Sequence, residues 1–317
     1  MMGKIIKRMR GSLKMSKNFD DLLLKLENCS RKKLAVAVAQ DEPVLEAVKS
    51  AKEKNIADSV LVGDSEKIKE IAAKIDMDLS KFEIIHEADV KKATLLAIKL
   101  VSTGEADMVM KGLVDTATFL RSVLNKEIGL RTGKVMSHVS VFEIEGIDRL
   151  IFLTDAAFNT YPDLKGKVQI LNNSVNVANA CGIEMPKVAP VCAVEVVNQD
   201  MPATVDAALL SKMNDRGQIK GCIVDGPLAL DNALSLEAAH HKGISGPVAG
   251  KADIILLPNI EVANVMYKCL TYTSKSKNGG ILVGTSAPVI LTSRADSFET
   301  KVNSIALAAL VAESKKN

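Results

Sequence analysis

Short, β-rich apolar runs recur along this chain with amphipathic stretches between them, and few arrangements bury such runs. They fall at 34–39 (LAVAVA), 57–62 (ADSVLV), 82–86, 106–110 (ADMVM), 135–143, 149–154 (RLIFLT), 187–194, 221–225 (GCIVD), 252–258 (ADIILLP), 279–284 and 288–292. Many are apolar at every position rather than at alternate ones, as strands are when both faces of their sheet are covered. The stretches between them carry a helical period. In 91–103, Ala93, Leu96, Ala97, Leu100 and Val101 share one face, and Phe298, Val302, Ile305, Ala306 and Ala309 repeat the spacing near the end of the chain. Alternating β and α elements predict parallel sheets joined by helical crossovers. The expected class is α/β.

At 317 residues the chain exceeds one ordinary core and suits two domains of about 150 residues. No repeat or low-complexity linker marks the seam, so the candidate junctions are the polar stretch 125–134 (NKEIGLRTGK) and the run 274–280 (SKSKNGG). A chain that leaves its first domain near 130 and returns near 280 has a discontinuous first domain, residues 1–132 with 281–317. The inserted second domain is then 133–280.

Composition removes several function classes. Aromatic residues are 3% of the chain and Trp is absent, which takes away the stacking platforms of single-stranded nucleic-acid binders. A net charge of +3 does not imply nucleic acid, but it suits a polyanionic small molecule. Cys29, Cys181, Cys192, Cys222 and Cys269 lie far apart with no C-x-x-C pair, and Cys192 and Cys222 read as small buried hydrophobes. No run of apolar residues is long enough to cross a bilayer. The basic start lacks a secretory apolar core, and Met15 offers an alternative start that would leave residues 1–14 outside the fold. The expected compartment is a reducing cytoplasm.

Familiar motifs fail one by one. No G-x-G-x-x-G follows the first strand. GPVAGKA at 246–252 has three residues between its glycines, Ala252 where a P-loop needs Ser or Thr, and Lys251 ahead of a strand rather than a helix. His86, His138, His240 and His241 lack metal-ligand spacing. His240 and His241 suit the end of a helix, and His138 a core position. G-x-S-x-G is also missing, which disfavours a covalent acyl-enzyme.

What remains is a set of small polar and basic groups where strands end. After 288–292 come Ser293, Arg294, Ala295, Asp296 and Ser297, and then a helix. That order brings a hydroxyl, a guanidinium and free helix N–H groups to one crevice, an arrangement suited to phosphate. Ser293, Asp296 or Ser297 could equally cap the helix. At 110–124 (MKGLVDTATFLRSVL), Lys111 and Gly112 end a strand and Asp115 or Thr116 opens a helix carrying Arg121. At 154–164 (TDAAFNTYPDL), Asp155 and Asn159 precede a helix at Pro162. Open α/β sheets bind ligands at such strand ends. The residues alone thus describe an anion-using α/β enzyme.

Read together, these junctions resemble the phosphate acetyl/butyryl transferase family over residues 34–312. The most specific stretches are TDAAFNTYPDLKGKVQILNNS (154–174), PKVAPVCAVEVVNQDMPAT (186–204), VDGPLALDNA (224–233), SGPVAGKADIILLPNIEVANVMYK (245–268) and GTSAPVILTSRADSF (284–298). The ending TSRADS, in place of an SRG-type run, is closer to the butyryl members. The resemblance implies two doubly wound domains like those of isocitrate and isopropylmalate dehydrogenases, with the active cleft between them and the second domain inserted into the first. It implies conversion of a short-chain acyl-CoA, butyryl-CoA first, and inorganic phosphate to acyl phosphate and CoA. Direct attack is expected, with no bound cofactor and no metal.

The family's serine–arginine pair falls on Ser293 and Arg294, and its helical arginine on Arg121. The position of its acidic base is Thr300 here, which leaves Asp296, Glu299, Asp155 or a water as possible bases. Lys111, Gly112, Asn159, Lys251 and Ser297 are candidates for holding phosphate or CoA, with Lys275 or Lys277 as further candidates for CoA. A homo-oligomer without membrane or nucleic-acid partners is expected. The alternatives are acetyl or another short or branched acyl group, a metal- and NAD-dependent dehydrogenase on the same architecture, and an inactive CoA-binding member of the family.

Overall fold

The computed structural model describes residues 16–293 and 296–315. Its strands are β1 (Lys32–Ala37), β2 (Ala57–Gly63), β3 (Glu83–His86), β4 (Met108–Lys111), β5 (Ser137–Ile144), β6 (Ile151–Thr154), β7 (Lys187–Pro190), β8 (Ile223–Val224), β9 (Ile254–Leu256), β10 (Ser276–Val283) and β11 (Val289–Ile290). They form one sheet in the order β3-β2-β1-β4-β11-β10-β5-β6-β9-β7-β8. Every apolar run of the sequence overlaps a strand, but the ends differ; β7, for example, stops at Pro190, and β10 begins at Ser276, ahead of its run.

The helices are α1 (Phe19–Leu26), α2 (Glu42–Glu53), α3 (Ser65–Lys74), α4 (Val90–Ser102), α5 (Thr116–Val123), α6 (Leu164–Ala180), α7 (Pro202–Asp215), α8 (Leu230–Leu234), α9 (Leu236–His241), α10 (Ile260–Thr273) and α11 (Phe298–Ser314). Most begin where a short polar side chain accepts from an N–H one turn ahead: Asp41 from Val44, Asp89 from Lys92, Asp115 from Thr118. The helix expected at Pro162 starts two residues later, because Asp163 is the capping residue and accepts from Gly166 N. His240 and His241 do end α9. No described helix is long and apolar enough to cross a membrane.

The class is α/β, but the sheet is mixed. Strands β3, β2, β1, β4 and β11 run parallel to one another, and so do β6, β9, β7 and β8. Between these sets stand β10 and β5, antiparallel to each other and to their outer neighbours. The expectation of wholly parallel sheets is therefore corrected at the centre. A short hairpin joins β5 to β6, and only antiparallel neighbours accept one.

The run 274–280 is corrected too. Most of it is strand β10, paired with β5 from Ser276 to Val283, so the expected boundary at 280–281 falls inside a strand. Its glycines serve close packing rather than flexibility. A Cβ on Gly279 would lie 2.9 Å from Asn303 of α11, and one on Gly280 would lie 2.8 Å from His138 Nε2. The stretch 125–134 is a connection between α5 and β5, as its polarity predicts.

Three apolar clusters cover the sheet. The first draws on both parallel sets and on the centre, with Leu34, Val139, Ile281 and Ile254 packed under α6 and α11. The second contains Ala35, Val109 and Leu282, and the third Phe142, Leu153 and Ile255. Side chains alternate faces along a strand. His138 is paired with Leu282 and is two residues from Ser140, which is two from Phe142. His138, Ser140 and Gly280 therefore lie on the face carrying the second and third clusters, in the gap between them. Helix α11 also departs from its expected one-sided burial. Lys301 to Ala312 are all buried, because α11 is sandwiched between the sheet and helices α1, α2 and α6, whereas Phe298 is 46% exposed.

Candidate active site

After β1 the chain lays β2 and β3 to one side, then returns to place β4 on the other side of β1. Such a reversal leaves a crevice beyond the carboxyl ends of the two central strands. A cavity of about 310 Å³ lies there, lined by Asp41 and Pro43 after β1, Lys111 and Gly112 at the end of β4, Ser293 after β11, and Lys301 of α11. A neighbouring cavity of about 420 Å³ shares Lys111, Thr292 and Ser293 and adds Asp115 and Thr116 from the start of α5. Two of the strand-end junctions singled out from the sequence thus form one site.

The floor is tight. Gly112 N donates to Ala37 O and Leu113 N to Val38 O, both at 2.8 Å. A Cβ on Gly112 would lie 2.3 Å from Val38 O, so only glycine brings this loop against the end of β1. Lys111 is buried, and its ammonium donates to Gly112 O at 3.3 Å and Val114 O at 3.1 Å.

On the opposite wall, Ser293 N donates to Asp296 Oδ2 at 2.7 Å, which ties the loop after β11 back on itself. Arg294 lies outside the described residues. Ser297 is the cap of α11: its Oγ accepts from Thr300 N at 3.1 Å and lies 2.9 Å from Thr300 Oγ1. Thr300 in turn donates to Asn278 Oδ1 at 2.7 Å. Arg121 lies exposed on α5, donating to Ala117 O and Thr118 Oγ1 at 3.2 Å. Asp115 accepts from Thr118 N, and that hydrogen bond holds its carboxyl below the usual range.

The three possible bases differ. Asp155 accepts from the backbone N–H groups of Ala157, Phe158 and Asn159 and from Asn159 Nδ2, which occupies both of its oxygens. Glu299 is at the surface, 3.6 Å from Lys277 Nζ. Asp296 is half-buried beside Ser293, and its charge reaches the half-buried Tyr267 and the buried His138. The Tyr267 hydroxyl is pushed up to about 12, first by burial and then by the charge of Asp296. The His138 imidazole is held below its ordinary value by burial, against the opposing charges of Asp155 and Asp296. His138 also lies 3.2 Å from Ser140 Oγ through Nδ1, and its ring is edge-on to Tyr267. The expected core histidine is buried, but it sits beside two of the possible bases.

Other candidates stand apart from the crevice. Asn159 donates to Met136 O at 2.8 Å as well as to Asp155, and it lines neither cavity. Lys251 is exposed ahead of β9 and lines neither. Lys275 and Lys277 line a separate groove of about 740 Å³ beside the β5–β6 hairpin. Thr292 and Lys301 line the crevice although the sequence did not single them out. Thr292 could have been found as the residue next to Ser293, but no pattern distinguished Lys301 from a solvated helical lysine.

Burial raises the thiols of Cys192 and Cys222 to about 11 and that of Cys181 to about 12, so all three are protonated near neutrality. Cys192 is only half-buried, less than its apolar surroundings suggested. Among the described residues no group of three or more His, Cys, Asp or Glu side chains could hold a metal ion.

The family model of phosphate acetyl/butaryl transferase matches this sequence over residues 18–94 and 86–309. The chain is 74% identical over 302 residues to the phosphate butyryltransferase of Clostridium beijerinckii, covering 95% of this chain and 100% of that protein. It is 48% identical over 294 residues to the phosphate acetyltransferase of Thermotoga maritima, covering 93% and 100%. Among solved structures, a branched-chain phosphotransacylase from Enterococcus faecalis V583 superposes with a TM-score of 0.79 at 32% identity, covering 89% of this chain and 99% of that one.

Proposed function

Since the chain belongs to the phosphate acetyl/butaryl transferase family, we propose that it moves a short acyl chain, butyryl before others, from CoA to inorganic phosphate by direct attack in a ternary complex. The likeness that carries the choice of butyryl is the 74% identity to the Clostridium beijerinckii enzyme, against 48% to the Thermotoga maritima acetyltransferase.

A phosphate oxygen attacks the thioester carbonyl, the C–S bond breaks, an acyl phosphate forms, and the proton lost by phosphate ends on the CoA sulfur. The thioester is already activated, so no covalent enzyme intermediate is required. Phosphate is a poor nucleophile mainly because it is dilute and hydrated. Fixing it against the carbonyl lowers the barrier by about 7 kcal/mol in favourable cases. Arg294 and Arg121 supply charge for phosphate in this reading. Ser293 donates to the developing oxyanion, a contribution of about 10²–10³ in rate per donor. Asp296 is the proposed proton carrier, because it is tied to the Ser293 amide and, among the described residues, its carboxylate is less enclosed by donors than that of Asp155. A carboxylate is a weak base toward a thiol of pKa about 8.5, so its role is to relay the proton between phosphate and sulfur.

CoA enters as substrate, and its elongated anion suits the cleft between the two proposed units, which meet at β5 and β10. The enzyme is placed in the cytoplasm, where acyl-CoA is available, as a homo-oligomer without nucleic-acid or membrane partners. Helix α10 supports the oligomer: it buries only Ala263 and exposes Val262, Val265 and Tyr272, interspersed with Glu261 and Lys268.

The test of the acyl choice is a panel of acetyl-, propionyl-, butyryl- and isobutyryl-CoA at saturating phosphate. Butyryl-CoA should give the highest kcat/KM. A preference of about tenfold or more for acetyl-CoA, within what one or two methylenes can produce, would move the chain to the acetyl branch.

A further inference from the structure

Four lysines of the described chain are buried: Lys32, Lys111, Lys167 and Lys301. Burying an ammonium is unfavourable unless an opposite charge accompanies it. Lys32 has Glu313 and Lys167 has Asp206 as carboxylate partners. Lys301, 3% exposed on the first turn of α11, has none within salt-bridge distance among the described residues; its ammonium donates to the main-chain carbonyl of Asp296 at 2.5 Å.

This unbalanced cation lines the same crevice as buried Lys111, with Ser293 on its wall. Lys301 and Ser293 are also linked through one residue, since the carboxylate of Asp296 accepts from Ser293 N and its carbonyl accepts from Lys301. Any anion seated in the crevice against Lys301 therefore sits at the reacting end of the site. The pantetheine arm of CoA would hold its own phosphates well away from there.

We infer that Lys301 is a binding residue for the inorganic phosphate co-substrate and supplies, with Lys111, the positive charge of a phosphate seat beside Ser293. The inference rests on the phosphate acyltransferase reading and adds a residue to it. Without phosphate, Lys301 keeps only a carbonyl partner for its ammonium among the described residues. With phosphate bound, its charge is compensated.

The test separates charge from bracing. Lys301→Gln keeps a donor for the Asp296 carbonyl but removes the charge, Lys301→Arg keeps the charge, and Lys301→Met removes both. Two readouts are taken: KM for phosphate and for butyryl-CoA, and the rise in thermal midpoint when inorganic phosphate alone is added. Lys301→Gln should raise the phosphate KM by about tenfold or more, as loss of one charge-assisted contact does. Its KM for butyryl-CoA should stay within twofold, its phosphate-induced stabilisation should vanish, and Lys301→Arg should restore most of both. Wild-type behaviour in Lys301→Gln would overturn the inference in favour of a bracing role. A rise in the butyryl-CoA KM alone would overturn it in favour of a CoA contact. If Lys301→Met fails to fold, the Gln and Arg variants still decide. The readings fail separately: a wild type that binds phosphate through Lys301 but releases no CoA would sink the acyltransferase reading alone.

Discussion

Gly112→Ala perturbs the crevice floor without replacing a charged or reacting side chain. Gly112 does not use the left-handed backbone region, so alanine meets no torsional objection there; contact alone opposes it. The new Cβ would lie 2.3 Å from Val38 O and 2.7 Å from Ala37 O, and Cβ atoms essentially never approach closer than 3.0 Å. Both obstacles are main-chain atoms at the end of β1, so no side chain can swing aside, and the Lys111 loop must back away by some 0.7 Å. The two 2.8 Å hydrogen bonds that fasten it to Ala37 and Val38 stretch in consequence. Overpacking of this kind costs about 1–3 kcal/mol, which lowers the thermal midpoint by about 1.5–4.5 °C in a protein of this size. Displacing a positioning group by a large fraction of an ångström lowers kcat/KM by about 10- to 100-fold. The assay is CoA thiol release from butyryl-CoA, run beside thermal unfolding. Gly217→Ala is the control: its φ of +70° makes alanine strained, but nothing lies within 4 Å of the added Cβ and the turn is far from the crevice. It should lose about 1 kcal/mol of stability and keep its kcat/KM. Full activity in Gly112→Ala, or an equal loss in Gly217→Ala, would refute the argument that close packing at the floor positions the site.

Ser293→Ala should lower kcat by about 10²–10³ with little change in thermal midpoint, and steady-state kinetics showing less than a threefold loss would remove Ser293 from oxyanion stabilisation. Cys192→Ala should keep kcat within twofold, since a thiol raised to about 11 is no nucleophile at neutral pH; inactivity with the fold intact would revive a covalent route. Glu313→Gln leaves Lys32 buried without its carboxylate and should destabilise by about 2–3 kcal/mol in urea unfolding, allowing for the part-exposed glutamate. The Lys32 contact lowers the Glu313 carboxyl, so that stabilisation is present above pH about 4.3 and fades as pH falls through the lower folded value. The wild type and variant should therefore converge in acid, and a constant difference would count against the pair. For His138 the sign is again loss toward low pH: the unfolded imidazole takes a proton below pH about 6.5, whereas the buried one resists it. Between pH 7 and 5 the thermal midpoint should fall more steeply in the wild type than in His138→Gln, and parallel curves would mean that His138 is not held neutral.

Much of the fold is legible in the sequence because continuous apolar runs such as LAVAVA and ADIILLP can be little else than covered strands, and because Asp or Ser stands where helices begin. What the sequence conceals is the pairing between distant strands. Nothing in SKSKNGG announces a strand at the centre of the sheet, because Gly279 and Gly280 are dictated by Asn303 and His138 packing against them from elsewhere in the chain. The site divides in the same way. Ser293, Lys111 and Gly112 are visible as polar groups at strand ends, a local signal. Lys301 is visible only once α11 is buried on all sides, since a lysine in a helix ordinarily faces water. Cys192 misleads in the opposite sense, because an apolar neighbourhood in sequence does not ensure full burial.

The measurement that bears most directly on the account is release of CoA thiol from butyryl-CoA by the purified chain, with and without inorganic phosphate and with no metal or nicotinamide added, the acyl product being trapped as its hydroxamate. Release that requires phosphate and yields an equal amount of acyl phosphate is the predicted result. Release that is indifferent to phosphate, or none with any short acyl-CoA, would contradict the transfer of an acyl group to phosphate in this crevice.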